Sequence, residues 1–125
     1  MIRSLVYGTM MVAALAGVVM FVGSCDNSFV VLVENDTQDH LKIHEQEVPV
    51  GQSFRMLLPG SDHCYWQVFR DTQYLGTLEV ETVECTLANA GNITITLVEP
   101  TPLNLAVGSV SEPSLCTATW KPASQ

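Results

Sequence analysis

Apolar residues run almost unbroken through the start of this chain and alternate with polar ones afterwards, so two different patterns meet near residue 25. Leu5 to Val22, LVYGTMMVAALAGVVMFV, is an 18-residue apolar stretch, and no charged residue occurs between Ser4 and Cys25. Beyond it the period shortens to two, the signature of strands rather than helices. Phe29–Asn35, FVVLVEN, reads as a buried strand that stops at the polar Asn35-Asp36-Thr37. His40–Gln46 alternates, with Leu41 and Ile43 inward and His40, Lys42 and His44 outward. Ser53–Leu58 is the next strand, closed by the Pro59-Gly60 turn signal. Cys64–Arg70 and Gln73–Val80 flank a turn at Asp71-Thr72, and Asn92–Glu99 alternates again after the turn-like ANAG.

The expected class is all-β: a small antiparallel sandwich or partly closed barrel, following an N-terminal helical signal or anchor segment. The expected division is residues 1–24 as signal peptide or anchor, 25–99 as the β domain, and 100–125 as a proline-containing extension. That extension carries Pro100, Pro102, Pro113 and Pro122 with few charges, and one short strand is expected near Cys116–Trp120. The parity of apolar positions changes between Val80 and Leu87, which calls for a bulge or turn near Glu81-Thr82.

The segment from Cys64 to Val80 is the most informative. A hairpin centred on Asp71-Thr72 pairs Phe69 with Tyr74, Val68 with Leu75 and Tyr65 with Leu78. One face then holds Tyr65, Phe69, Tyr74, Leu78 and Val80, and the other Cys64, Trp66, Val68 and Leu75. Two apolar faces exceed what a half-solvated hairpin needs. Either the tail or the first strand covers the second face, which is the plainer expectation, or that face meets a partner. Tyr65, Trp66, Phe69, Tyr74 and, from the tail, Trp120 are the candidate partner-binding residues.

Charge narrows the partners. Beyond residue 25, Lys42, Arg55, Arg70 and Lys121 stand against 13 acidic residues, a net charge of −9. So acidic a domain repels phosphate backbones, and nucleic-acid binding is not expected. The acids are scattered, as on a solvated surface, and lack the spacing of a calcium loop.

No stretch carries a catalytic or cofactor motif, and an enzyme is not expected. Ser61-Asp62-His63-Cys64 places four reactive residue types in a row, yet consecutive residues diverge and a triad requires each group to face the next. His40 and His44 share one side of a strand but stand roughly 13 Å apart at ~3.3 Å per residue. That is too far to share one metal ion, and no metal site or cofactor is expected. Glu79 and Glu81 read as a solvated edge rather than a glycosidase pair.

The junction at residue 25 bears on location. Met1-Ile2-Arg3, the apolar stretch, and the small Gly23 and Ser24 form the three-part layout of a secretory signal. Val22-Gly23-Ser24-Cys25 resembles the lipobox of bacterial lipoprotein precursors. The resemblance implies a chain cut before Cys25 and acylated on it, anchored in a membrane with its domain facing the periplasm or cell exterior. Asp26 similarly resembles the residue that retains such proteins at the inner membrane. Ordinary cleavage after Ser24, or a retained helix over residues 5–22 as the membrane anchor, are the other two readings, and all three export the same domain. Acylation leaves Cys64, Cys85 and Cys116; export favours oxidation, and Cys64–Cys85 is the expected disulfide. The functional expectation is a membrane-anchored accessory component that binds a protein partner in the envelope. The alternative is a ligand- or metal-binding module using His40, His44 or His63.

Overall fold

The computed structural model describes residues 27–123; the leader, Cys25 and Asp26 lie outside the described residues. The chain from Phe29 to Pro122 forms β1 (Phe29–Asp36), β2 (Leu41–Ile43), β3 (Gln46–Val48), β4 (Ser53–Leu58), β5 (His63–Arg70), β6 (Gln73–Thr82), β7 (Asn92–Thr101), β8 (Asn104–Val110) and β9 (Cys116–Pro122). Four strands in the order β4-β1-β7-β8 make one sheet, and five in the order β3-β2-β5-β6-β9 make the other. The fold is a sandwich and does not close into a barrel. One pair departs from the expected antiparallel arrangement: β1 and β7 run parallel, with Val31 opposite Ile93 and Val33 opposite Ile95.

Alternation explains the core. Phe29, Val31 and Val33 of β1 and Ile93, Ile95 and Leu97 of β7 point inward at every second position and are buried. Leu41, Ile43, Val48, Trp66, Val68, Leu78 and Val80 answer them from the five-stranded sheet. Phe54 of β4 meets Trp66 of β5 edge to face at 5.1 Å between ring centroids, a contact that joins the two sheets. The β2–β3 link is a two-residue turn with positive φ at His44 (49°) and Glu45 (67°), the geometry suited to a tight hairpin.

The central hairpin differs from the expected register. Phe69 pairs with Tyr74 as anticipated, but Val68 pairs with Gly76 and Trp66 with Leu78, because Leu75 is an extra residue in β6. This bulge shifts the parity within β6, while near Glu81-Thr82, where a bulge or turn was expected, the strand ends. Leu75, Leu78 and Val80 thereby join Trp66 and Val68 on a single buried face. The strand keeps that parity through the buried Thr82, where β6 ends. Gly76 is needed next to the bulge. A Cβ there would lie 2.5 Å from the Lys121 carbonyl oxygen and 2.6 Å from the Trp120 ring.

Residues 100–125 supply two strands. β8 pairs with β7 and buries Leu105; β9 pairs with β6 along its whole length and buries Cys116. The stretch expected as an extension beyond residue 99 thus edges both sheets.

The expected Cys64–Cys85 disulfide is absent, and Cys64, Cys85 and Cys116 are all free. Register explains this. Cys64 stands opposite Val80, and the same antiparallel register continues to the Gly60–Glu84 bridge. Cys85 therefore lies about 16 Å farther along the sheet at ~3.3 Å per residue, whereas a disulfide requires Cα atoms within about 7 Å. Cys116 pairs with Thr82 from the opposite side of β6 and reaches neither.

Candidate functional site

The outer face of the five-stranded sheet carries the side chains that alternation turns away from the core. Along β5 these are His63, Tyr65, Gln67 and Phe69; Lys42 comes from β2, Thr77 and Glu79 from β6, and Lys121 from β9. Tyr65 is 56% exposed and Tyr74 38%. Phe69 is half-buried and packs against Tyr74, with 5.4 Å between centroids.

Ion pairs neutralise the flanks of this face. His40 Nε2 lies 2.6 Å from a Glu47 carboxylate oxygen, with Lys42 at 3.9 Å from the other. On the far flank Glu79 is held between His63 and Lys121, whose ammonium is 3.0 Å away. These two hydrogen bonds, His63 foremost, pull the Glu79 carboxyl below its ordinary range, and Glu79 in turn raises the Lys121 ammonium. His63 stacks on Tyr65 at 4.8 Å and orients that ring.

Between the flanks lies an open groove of about 860 Å³. Tyr65, Gln67 and Phe69 line it along β5, with Lys42, the His44-Glu45 turn, Thr77 and the Asp71-Thr72 turn around them. Its volume falls in the range of about 300–1,000 Å³ typical of ligand pockets. Ring faces beside an amide, hydroxyls and scattered charges suit recognition, since they offer apolar area and directional hydrogen bonds together.

The five candidate partner residues separate into two groups. Tyr65, Phe69 and Tyr74 share the outer face. Trp66 is 2% exposed in the core, on the opposite side of β5, and Trp120 is half-buried with its ring against Gly76. Trp66 is turned into the core by its parity in β5 and packs on Phe54, whereas Trp120 keeps part of its surface and lines a small cavity with Tyr74, Leu103 and Pro122.

Ser61 to Cys64 diverge as residues leaving a turn do. Ser61 has φ 53°, Asp62 accepts a hydrogen bond from the Gly60 N–H at 3.3 Å, His63 faces outward to Glu79, and Cys64 belongs to the inner face. Among the described residues no group of three or more His, Cys, Asp or Glu is placed to hold a metal ion. The three thiols are all pushed up by burial, Cys116 to about 11, and Asp62 adds to the effect at Cys64. They are thus held as protonated, weakly nucleophilic groups.

Pattern reading missed Asn35. It sits 1% exposed at the end of β1, and its side chain joins the sheets. Nδ2 donates to the carbonyls of Asp39 (2.8 Å) and Val48 (2.9 Å), and Oδ1 accepts from the Thr37 N–H (3.0 Å) and hydroxyl (2.6 Å). The Asn-Asp-Thr triplet, in which the third residue returns to the first, was the only available signal.

No protein-family model, curated protein or solved structure matches this chain.

Proposed function

We propose that this protein is a lipid-anchored, extracytoplasmic binding module that holds a protein partner on the outer face of its five-stranded sheet. The carrying observation is the groove along β5, where Tyr65 stays exposed beside Gln67 and Phe69 while the charges on either side are paired within the sheet. Tyrosine is enriched at protein interfaces because a rigid ring buries much area at small entropic cost. The anchor rests on Val22-Gly23-Ser24-Cys25, whose cysteine precedes β1 by only a few residues.

The test places a photo-crosslinking amino acid at position 67 in the intact, membrane-borne protein, with position 57 on the opposite sheet as control. A discrete protein adduct from 67 and none from 57 is expected. Adding Tyr65→Ala to the position-67 chain should weaken capture roughly 30-fold, the worth of an interface anchor of about 2 kcal/mol. Equal adducts from both faces, or capture indifferent to Tyr65→Ala, would refute the assignment.

A further inference from the structure

The loop between β6 and β7 ends in an apolar tip that nothing in the fold requires. Leu87, at 86%, is the most exposed of the large hydrophobic residues described. It does not belong to a slack segment. The Thr86 N–H donates to Asn89 Oδ1 at 2.7 Å, Asn89 Nδ2 donates to the Glu84 carbonyl at 3.0 Å, and the Ala90 N–H donates to the Thr86 carbonyl at 3.0 Å. The feet of the loop are fixed too. Glu84 bridges to Gly60, and the Gly91 carbonyl accepts from the Val30 N–H at 2.9 Å. Turn positions ordinarily go to Gly, Pro, Asn, Asp or Ser, each for a backbone reason. Leu87 supplies no such reason, so an ordered turn holds a leucine out in solvent.

The location of that tip points to its occupant. The bond from Gly91 to Val30 sets the loop beside the start of β1, where Phe29 is buried at the base of the sandwich. Cys25 precedes Phe29 by four residues, which span at most about 14 Å when fully extended. An acylated Cys25 therefore keeps this end of the sandwich, with Leu87, close to the bilayer.

We propose that the Leu87 tip is a second membrane contact, inserting into the headgroup region of the leaflet that holds the lipid on Cys25. This rests on the lipid-anchor reading above. Glu84 and Glu112 are exposed at the same end, so the contact favours zwitterionic over anionic headgroups. β5 runs away from this end, from His63 toward Arg70, and the groove consequently opens sideways along the membrane surface.

The experiment uses the full acylated protein carrying Leu87→Trp in phosphatidylcholine vesicles containing nitroxide-labelled lipid. The native tryptophans give the baseline: Trp66 is buried and Trp120 lies toward the distal end of β9. The added tryptophan should lose more than half its emission to a shallow nitroxide, and less when phosphatidylglycerol replaces part of the phosphatidylcholine. Intact mass is measured on the same sample. An acylated protein whose added emission escapes quenching overturns the membrane contact alone. A mass without acyl chains overturns this inference and the anchor reading together.

Discussion

Asn35→Ala removes a side chain of modest size from the edge of the core, and its cost comes from what it leaves behind. The Val48 carbonyl, the Asp39 carbonyl and the Thr37 N–H each lose a partner, and Val48 and Thr37 are buried. The Thr37 hydroxyl retains the Asp39 carbonyl at 3.1 Å, so one of the four bonds has a substitute. A lost hydrogen bond costs about 1 kcal/mol net, and a buried group left unsatisfied costs about 1–3 kcal/mol. The Asp39 carbonyl keeps that hydroxyl as its donor, so two buried groups, the Val48 carbonyl and the Thr37 N–H, lose their side-chain partner, for a loss of about 3 kcal/mol. Domains of this size are stable by about 5–15 kcal/mol, so the variant should remain folded with Tm lowered by roughly 12–24 °C. Urea denaturation of residues 26–125, followed by the emission of the buried Trp66, measures the loss as a shift in midpoint at unchanged slope. Asn35→Asp keeps the acceptor but turns a carboxylate toward two carbonyls. It should be at least as damaging at pH 7 and partly recover in acid, where a protonated carboxyl donates again. A loss under ~1 kcal/mol for Asn35→Ala would refute the argument that this side chain holds the two sheets together.

Gly76→Ala should cost about 2–3 kcal/mol, because the new methyl meets the Lys121 backbone and the Trp120 ring at overpacked distances. The emission of Trp120 should shift to the red as β9 loosens, and a variant as stable as the parent would contradict the close β6–β9 packing. The thiols supply a pH test. With Cys116 pushed up to about 11, only about one molecule in a thousand carries that thiolate at pH 8. Mass spectrometry after iodoacetamide should show Cys116 alkylated quickly in urea and slowly in the native protein. An unfolded chain releases this proton first, so stability is unaffected below about pH 9 and declines between about pH 9 and the folded value of about 11. Rapid native labelling of Cys116 at pH 8 would be the contrary result.

Where residue parity alone decided an element, the amino-acid sequence was sufficient. Phe29–Asp36, Ser53–Leu58 and the two arms around Asp71-Thr72 could be read from period-two alternation and turn residues, because a strand buried on one face must alternate. Tyr65, Phe69 and Tyr74 could be placed together on one face for the same reason, since they fall on one parity of a short hairpin. What alternation does not contain is the identity of a strand's neighbours. The extra residue at Leu75 is visible only against β5, yet it moves Leu78 and Val80 to the core and leaves Tyr65 opposite Glu79. Trp66 looks like an interface residue until Phe54 of β4 is placed against it. The proline-containing stretch after Glu99 is too apolar for a pure linker and reads as an extension with one short strand, but each sheet still had an edge to be completed, and β8 and β9 complete them. Cys64 and Cys85 count as a pair only until the ladder fixes their distance along it, and Asn35 resembles a strand terminator until the carbonyls of Asp39 and Val48 converge on it. Local sequence thus determined which way each side chain points relative to its own strand. Tertiary pairing, through contacts between residues far apart in the chain, determined what each side chain meets, and with it which residues remain free to bind.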